Sequence, residues 1–222
     1  MPALPTQRLD AVLPLILPYV KHCPEPYALF QLRMAAIEFC ERTKCWRNIV
    51  TVDLTENHTA IVAPPYSTIH EFEEAWLGDA RLTPTQFTNA EPDELFGRSG
   101  GNRAKFITQI APGEVAVYPF EAGTLKVSVF LKPRQGQQFG TDAADPMFDA
   151  FNVIPAFLFD QNAMDLASGA LARIMLTPDE PFSDPARAAF HDAAFKAACA
   201  GSFASSIKGQ QNAPIRVKPN WM

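Results

Sequence analysis

Side chains that can act as acids, bases, nucleophiles or metal ligands are sparse in this chain, and their spacing limits what they can do together. There are four histidines, His22, His58, His70 and His191. A zinc-dependent hydrolase of the His-Glu-x-x-His kind needs two imidazoles one helical turn apart and a glutamate to activate water. No two histidines here have that separation. His70 falls in an expected strand and His191 in an expected helix, where a surface or hydrogen-bonded core position explains each better than catalysis does. The four cysteines, Cys23, Cys40, Cys45 and Cys199, include no Cys-x2-Cys pair and are too few for a disulfide scaffold. They read as reduced thiols. Cys40 lies on an apolar helical stripe, the setting of an inert buried thiol.

The segment Gly97-Arg-Ser-Gly-Gly-Asn-Arg103 has the glycine content of a phosphate loop. It lacks the Lys-Ser/Thr pair and the following helix that such a loop needs, so it reads as a solvent loop. Glu71, Glu73, Glu74 and Asp79 are the densest carboxylates. Strand alternation puts Glu71 and Glu73 on one face and Glu74 on the other, the pattern of a solvated strand rather than of paired catalytic acids. No catalytic, cofactor or metal site is expected. The enzyme alternative is a hydrolase using Cys23 or Glu71 with one distant histidine.

The elements that would position these residues follow from punctuation by twenty prolines and eleven glycines. Leu9 to Leu17 reads as a short helix closed by Pro18. Pro24 and Pro26 suit the first turn of a second helix. From Tyr27 to Thr43, Phe30, Met34, Ile37 and Cys40 recur at helical spacing beside a second stripe of Leu29, Leu32, Ala36 and Phe39. Arg33, Glu38, Glu41 and Arg42 are the polar remainder, so this helix needs cover on most sides. At Trp46 the period becomes alternating. Strands are expected at Trp46–Leu54, Thr59–Val62, Ile69–Leu77, Ala104–Ile110, Glu114–Tyr118 and Leu125–Leu131. Asp93 to Asn102 reads as an exposed loop after one helical turn. A polar, glycine-bearing connector from Gln135 to Pro146 leads to helices over Phe157–Leu176 and Pro185 to about Ile207. Ser183 or Asp184 is placed to cap the last of these. Its inward stripe is expected to be Phe190, Ala194, Ala197, Gly201 and Ala204, small enough for close helix approach.

Helices at both ends with strands between them indicate an α+β fold, a helical bundle carrying an inserted antiparallel β-sandwich or barrel. The expected division is residues 1–45 and 156–211 for the helical domain, 46–134 for the β-module, 135–155 for a connector and 212–222 for an extended arm. A hydrophobic share of 47% over 222 residues fits a globular chain. The formal charge of −5 lacks the basic excess of a protein that grips phosphates, which excludes tight DNA binding but not loose enclosure of DNA. Leu9 to Val20, broken by Pro14 and Pro18, is too short to cross a bilayer and has no signal-peptide pattern, so no membrane role is expected.

Three segments together resemble the head-to-tail adaptor (connector) proteins of tailed bacteriophages. They are Leu32-Arg-Met-Ala-Ala-Ile-Glu-Phe-Cys-Glu-Arg-Thr-Lys-Cys-Trp-Arg47, Ser168-Gly-Ala-Leu-Ala-Arg-Ile-Met175, and Pro181-Phe-Ser-Asp-Pro-Ala-Arg-Ala-Ala-Phe-His191. The domain order resembles the tail-accessory or tail-tubular type, which combines a helical bundle with β-structure. The resemblance implies a non-enzymatic virion protein, made in the host cytoplasm and placed at the head–tail junction. It would form a ring, usually of twelve copies, between the portal and a tail or neck protein, with DNA passing through the lumen without sequence recognition. By the same resemblance Ile215, Arg216, Val217, Lys218, Pro219, Asn220 and Trp221 would dock into the portal.

The residues add an independent reason to expect a ring. Apolar faces on Tyr27–Thr43 and Pro185–Ile207 exceed what one helix pair hides, and identical neighbours in a closed circle supply the cover. Ring contacts are expected at Phe30, Met34, Ile37, Phe190, Ala194, Ala197 and Gly201. An acidic lumen lets DNA slide where a basic one would hold it. The rivals are a tail terminator or tail-completion ring, and a β-sandwich module that binds a carbohydrate or host surface through exposed Trp or Tyr. Deleting Asn212–Met222 is expected to leave a folded protein that no longer joins the portal. Truncated protein found on capsids by immunogold labelling would refute that docking role.

Overall fold

Pro24, with φ −62° and ψ 132°, cannot continue a helix backwards, and Pro26 tolerates the first turn because its missing amide hydrogen would be unpaired there. Helix α1 therefore runs Glu25–Thr43, and it ends at Lys44, whose left-handed backbone (φ 52°) returns its amide to the Cys40 carbonyl at 2.9 Å. The computed structural model describes residues 5–55, 59–86, 103–135 and 152–208. Their fold is α+β, and the chain divides into two units: a helical one from Pro5–Cys45 with the described residues from Val153 onward, and a β one from Trp46 to Asn152. The expected exposed loop at Asp93–Asn102, the connector core and the C-terminal arm lie outside the described residues.

In the helical unit a short strand β1 (Thr6–Arg8) pairs antiparallel with β10 (Val153–Pro155). Three residues expected to belong to the connector are thus a strand, held by backbone bonds that leave no side-chain signature. The short helix expected over Leu9–Leu17 is a 3₁₀ helix, Leu9–Leu15; Pro14 inside it favours the tighter, shorter form. Helix α2 (Ala156–Met175) follows β10 directly and kinks at Asn162, where φ is −132°. Helix α3 spans Pro185–Lys208, with the Asp184 carboxylate accepting the Arg187 amide at 3.0 Å as its cap.

The helical core is built from Leu9 and Val12 of the 3₁₀ helix and Ile16 just after it, Leu32, Ala36 and Phe39 of α1, Leu158, Leu166 and Ile174 of α2, and Phe195 and Cys199 of α3. At its centre α2 carries Gly169. A Cβ there would lie 2.8 Å from the Phe195 ring and 2.9 Å from the Ala35 Cβ, so glycine is what lets three helices meet. Arg33, expected on the polar side of α1, is 1% exposed. Burial lowers its guanidinium to about 10, which still leaves it cationic at neutral pH.

The β unit holds two four-stranded sheets. One has the order β2 (Arg47–Leu54), β9 (Gly123–Pro133), β4 (Ser67–Leu77), β5 (Ala80–Arg81). The other has the order β3 (Thr59–Ile61), β8 (Glu114–Tyr118), β7 (Phe106–Ala111), β6 (Thr83–Pro84), with β6 parallel to β7 and the remaining pairs antiparallel. Leu125, Val127, Val129 and Leu131 form the buried face of β9. Opposite them β4 slips register twice. Ile69 faces Leu131 but Glu71 faces Phe130, and Phe72 faces Val129 but Glu74 faces Ser128, leaving His70 and Glu73 as bulge residues. Each slip reverses the alternation. Ile69, Phe72, Ala75 and Leu77 therefore share the inward register, and Glu71, Glu73 and Glu74 are all exposed. The expected separation of Glu74 from Glu71 and Glu73 is corrected accordingly. Among the described residues no helix is long and apolar enough to cross a membrane.

Gly169→Val is expected to destabilise the protein by about 2–3 kcal/mol, because overpacking against Phe195 and Ala35 outweighs any gain in backbone rigidity. Urea unfolding followed by far-UV circular dichroism measures it.

Candidate interaction surface

The charged side chains form separate pairs. In the β unit the Arg47 guanidinium donates to Glu73 at 2.7 Å and the Ser128 hydroxyl donates to the same carboxylate at 2.6 Å. Arg81 pairs with Glu74 at 3.5 Å. These are exposed cross-strand pairs of small energetic value. In the helical unit Glu38 receives Arg42 from its own helix and Arg173 from α2. Among the described residues no group of three His, Cys, Asp or Glu side chains is placed to hold a metal ion.

Two hollows were candidates for chemistry. A cleft of about 450 Å³ lies in the helical unit between Pro18–His22 and the turn from α2 to α3, lined by Tyr19, Lys21, His22, Phe182, Asp184 and Arg187. Arg187 is paired with Asp184 at 3.3 Å, and His22 sits at a left-handed φ of 69°. A hollow of about 300 Å³ in the β unit is lined by Phe72, Pro84, Thr85, Gln86, Thr108 and Gln109 and contains no titratable side chain. Neither sets a nucleophile against a base. His70 is a half-buried bulge residue, Cys23 is buried with its thiol raised by burial and by Glu180, and His58 lies outside the described residues. Of the Trp and Tyr residues described in the β unit, Trp46 is buried and Tyr66, Trp76 and Tyr118 are half-buried.

The unusual surface is on α3. Its buried line is Ala188, Phe195 and Cys199, flanked by half-buried His191, Asp192 and Ser202. The stripe expected to face inward points the other way: Phe190 is 71% exposed, and Ala194, Ala197, Gly201 and Ala204 are all exposed. From Ala186 to Ala204, roughly 27 Å of helix, the exposed residues are seven alanines, Phe190, Gly201 and Phe203, with Arg187 and Lys196 as the charged ones. The charges stand at its margins and are occupied, Lys196 with Asp192 at 2.6 Å and Arg187 with Asp184. A helix facing only water carries polar residues on that side.

Gly201 strengthens the point. A Cβ added there meets nothing within 4 Å, so no crowding at that atom requires glycine, in contrast to Gly169. An interior helix glycine costs about 1 kcal/mol relative to alanine, and close approach by an outside backbone would explain its use. Tyr19, 56% exposed, and Phe190 both meet His191 edge-on, at 6.3 and 5.6 Å, extending the apolar surface towards the cleft.

Of the other expected ring contacts, Phe30 and Met34 are half-buried and Ile37 is 8% exposed. Helix α1 finds cover against α2, α3 and the 3₁₀ helix, so Ile37 is withdrawn from the interface. Ile215, Arg216, Val217, Lys218, Pro219, Asn220 and Trp221 lie outside the described residues. Ala186, Ala189, Ala193 and Ala200 belong to the exposed face and were missed; placing Phe195 and Cys199 on the inward line would have found them. Comparison with protein-family models and with curated proteins finds no match to this chain.

Burial, aided by the nearby Arg187 charge, holds the His191 imidazole below its ordinary value. The unfolded chain then binds more protons than the folded one as pH falls through about 6.5. This contribution to stability is present above that pH and lost below it. His191→Gln is expected to reduce the fall in melting temperature between about pH 7.5 and pH 5.5, as read by scanning calorimetry.

Proposed function

We propose that this chain is a non-enzymatic structural protein of a bacteriophage virion, a ring subunit at the head–tail junction that joins the portal to the tail and continues the DNA channel. The outward face of α3 carries this reading. An apolar helix face some 27 Å long, with an exposed phenylalanine and a glycine at which a Cβ would find open space, is suited to a neighbouring backbone. Repeating one heterologous contact of this kind closes a ring when the rotation per subunit divides the circle. Twelve copies is the number the adaptor resemblance implies. In such a ring the same resemblance assigns Ile215–Trp221 to the portal and the β unit to the tail side.

The formal charge of −5 suits a conduit through which DNA slides. Charge at the centre of the face provides the test. Ala197→Glu, at a solvent-facing site in the single chain, is expected to alter folding stability by no more than about 0.5 kcal/mol. It is also expected to weaken subunit association at least about tenfold, since a carboxylate would be buried unpaired between copies. Sedimentation velocity, alone and with the portal protein of the same virion, reads both. Unchanged assembly of a stable Ala197→Glu protein would overturn the proposed interface.

A further inference from the structure

Three of the four cysteines gather at one end of the helical unit, and two of them are arranged for a reaction that the ring reading does not use. Cys40 is in the last turn of α1 and fully buried, whereas Cys45 follows the helix end and is partly accessible. The αL turn at Lys44 brings them together. The Lys44 amide is bonded to the Cys40 carbonyl at 2.9 Å, so Cys45 begins one residue beyond an atom held on Cys40. The Thr43 hydroxyl, which donates to the Phe39 carbonyl at 2.7 Å, accepts the Cys45 amide at 3.4 Å and fixes the turn. The two thiols are neighbours, close enough to interact through a hydrogen bond.

We propose that Cys45 and Cys40 are a peroxide-responsive thiol pair that closes to a disulfide at the exit of α1. The Cys45 thiolate attacks one oxygen of a hydroperoxide, with hydrogen peroxide as the simplest oxidant. The O–O bond breaks, water leaves after taking up a proton, and Cys45 becomes a sulfenic acid. The Cys40 thiol then loses its proton, its sulfur attacks the Cys45 sulfur, and the hydroxyl departs as a second water. Two thiols are oxidised by two electrons and one peroxide is reduced to two waters.

The roles are unequal in the way this order needs. The hydrogen bond from Cys40 draws the Cys45 thiol below its ordinary value against the opposing effect of burial. The same hydrogen bond, together with burial, keeps Cys40 protonated and out of the first step. Cys199 lies close enough to sense both thiols, but burial pushes it to about 11, and Cys23 is also raised.

Trypsin separates the partners, because Arg42 and Lys44 lie between them. The test treats the reduced, folded full-length chain with hydrogen peroxide, blocks remaining thiols with N-ethylmaleimide, and maps the non-reduced tryptic peptides by mass. The expected product joins Met34–Arg42 to Cys45–Arg47, while the Cys23 and Cys199 peptides carry maleimide. Cys45 is expected to react at least about tenfold faster than either of them, a preference that disappears in urea. In Cys40→Ser, dimedone is expected to trap a sulfenic acid on Cys45. A bridge to Cys199, no selectivity in the folded wild-type chain, or maleimide on both Cys40 and Cys45 after peroxide would overturn the proposal. The wild-type map stands even if the serine variant does not fold.

Discussion

The close approach of three helices at Gly169 is the constraint on which the helical unit depends. Burying a phenylalanine stabilises by about 1.5–3 kcal/mol, more than the roughly 1 kcal/mol that a helix-interior glycine costs relative to alanine. The Phe195 ring against Gly169, with Phe39 6.2 Å away between ring centres, therefore wins over a better helix former at 169. Once Phe195 is inside, the rotation of α3 about its axis is fixed. Cys199 and Ala188 must turn inward with it, and the alanine-rich side must turn out.

This rotation is also where the sequence is most deceptive. By hydrophobicity alone the better buried face of α3 is the one containing Phe190, Ala194 and Ala197, since the opposite side carries His191, Asp192 and Ser202. Tertiary packing reverses the choice because one aromatic ring in a glycine-made space is worth more than several methyl groups. Helix α1 was far more legible. Its prolines and its double apolar stripe are local signals, and the structure uses both. Six of the eight strands described in the β unit were likewise located by their alternation to within one or two residues, β8 to the residue, whereas the two-residue strands β5 and β6 were not. The two bulges in β4 were hidden because a bulge is defined by its partner, and β9 lies some fifty residues away. The β1–β10 ladder was hidden for the same reason. In the candidate surface Phe190 and Gly201 were named from the sequence on the inward stripe, and the direction in which they point needed the position of Phe195.

Polar interactions refine this arrangement more than they hold it. Glu38 serves both Arg42 and Arg173, so a single carboxylate links a turn of α1 to α2. All three side chains are partly exposed, which limits the value of these pairs. Arg33 differs, because a cation removed from water must be accommodated and cannot be deprotonated away at neutral pH. The Tyr27 hydroxyl and Thr177 Oγ1, 2.7 Å apart, tie the first turn of α1 to the end of α2.

The β unit interrupts the helical unit in sequence: its described residues begin at Trp46 and end at Asn152, with α1 on one side and α2 and α3 on the other. On a ribosome this imposes an order. Helix α1 emerges first but must wait for about a hundred further residues before α2 and α3 exist to cover it, whereas the strands pair among themselves as soon as β9 is made. The nascent chain thus carries an uncovered greasy helix through most of its translation, which makes early α1 the natural client of a ribosome-associated chaperone.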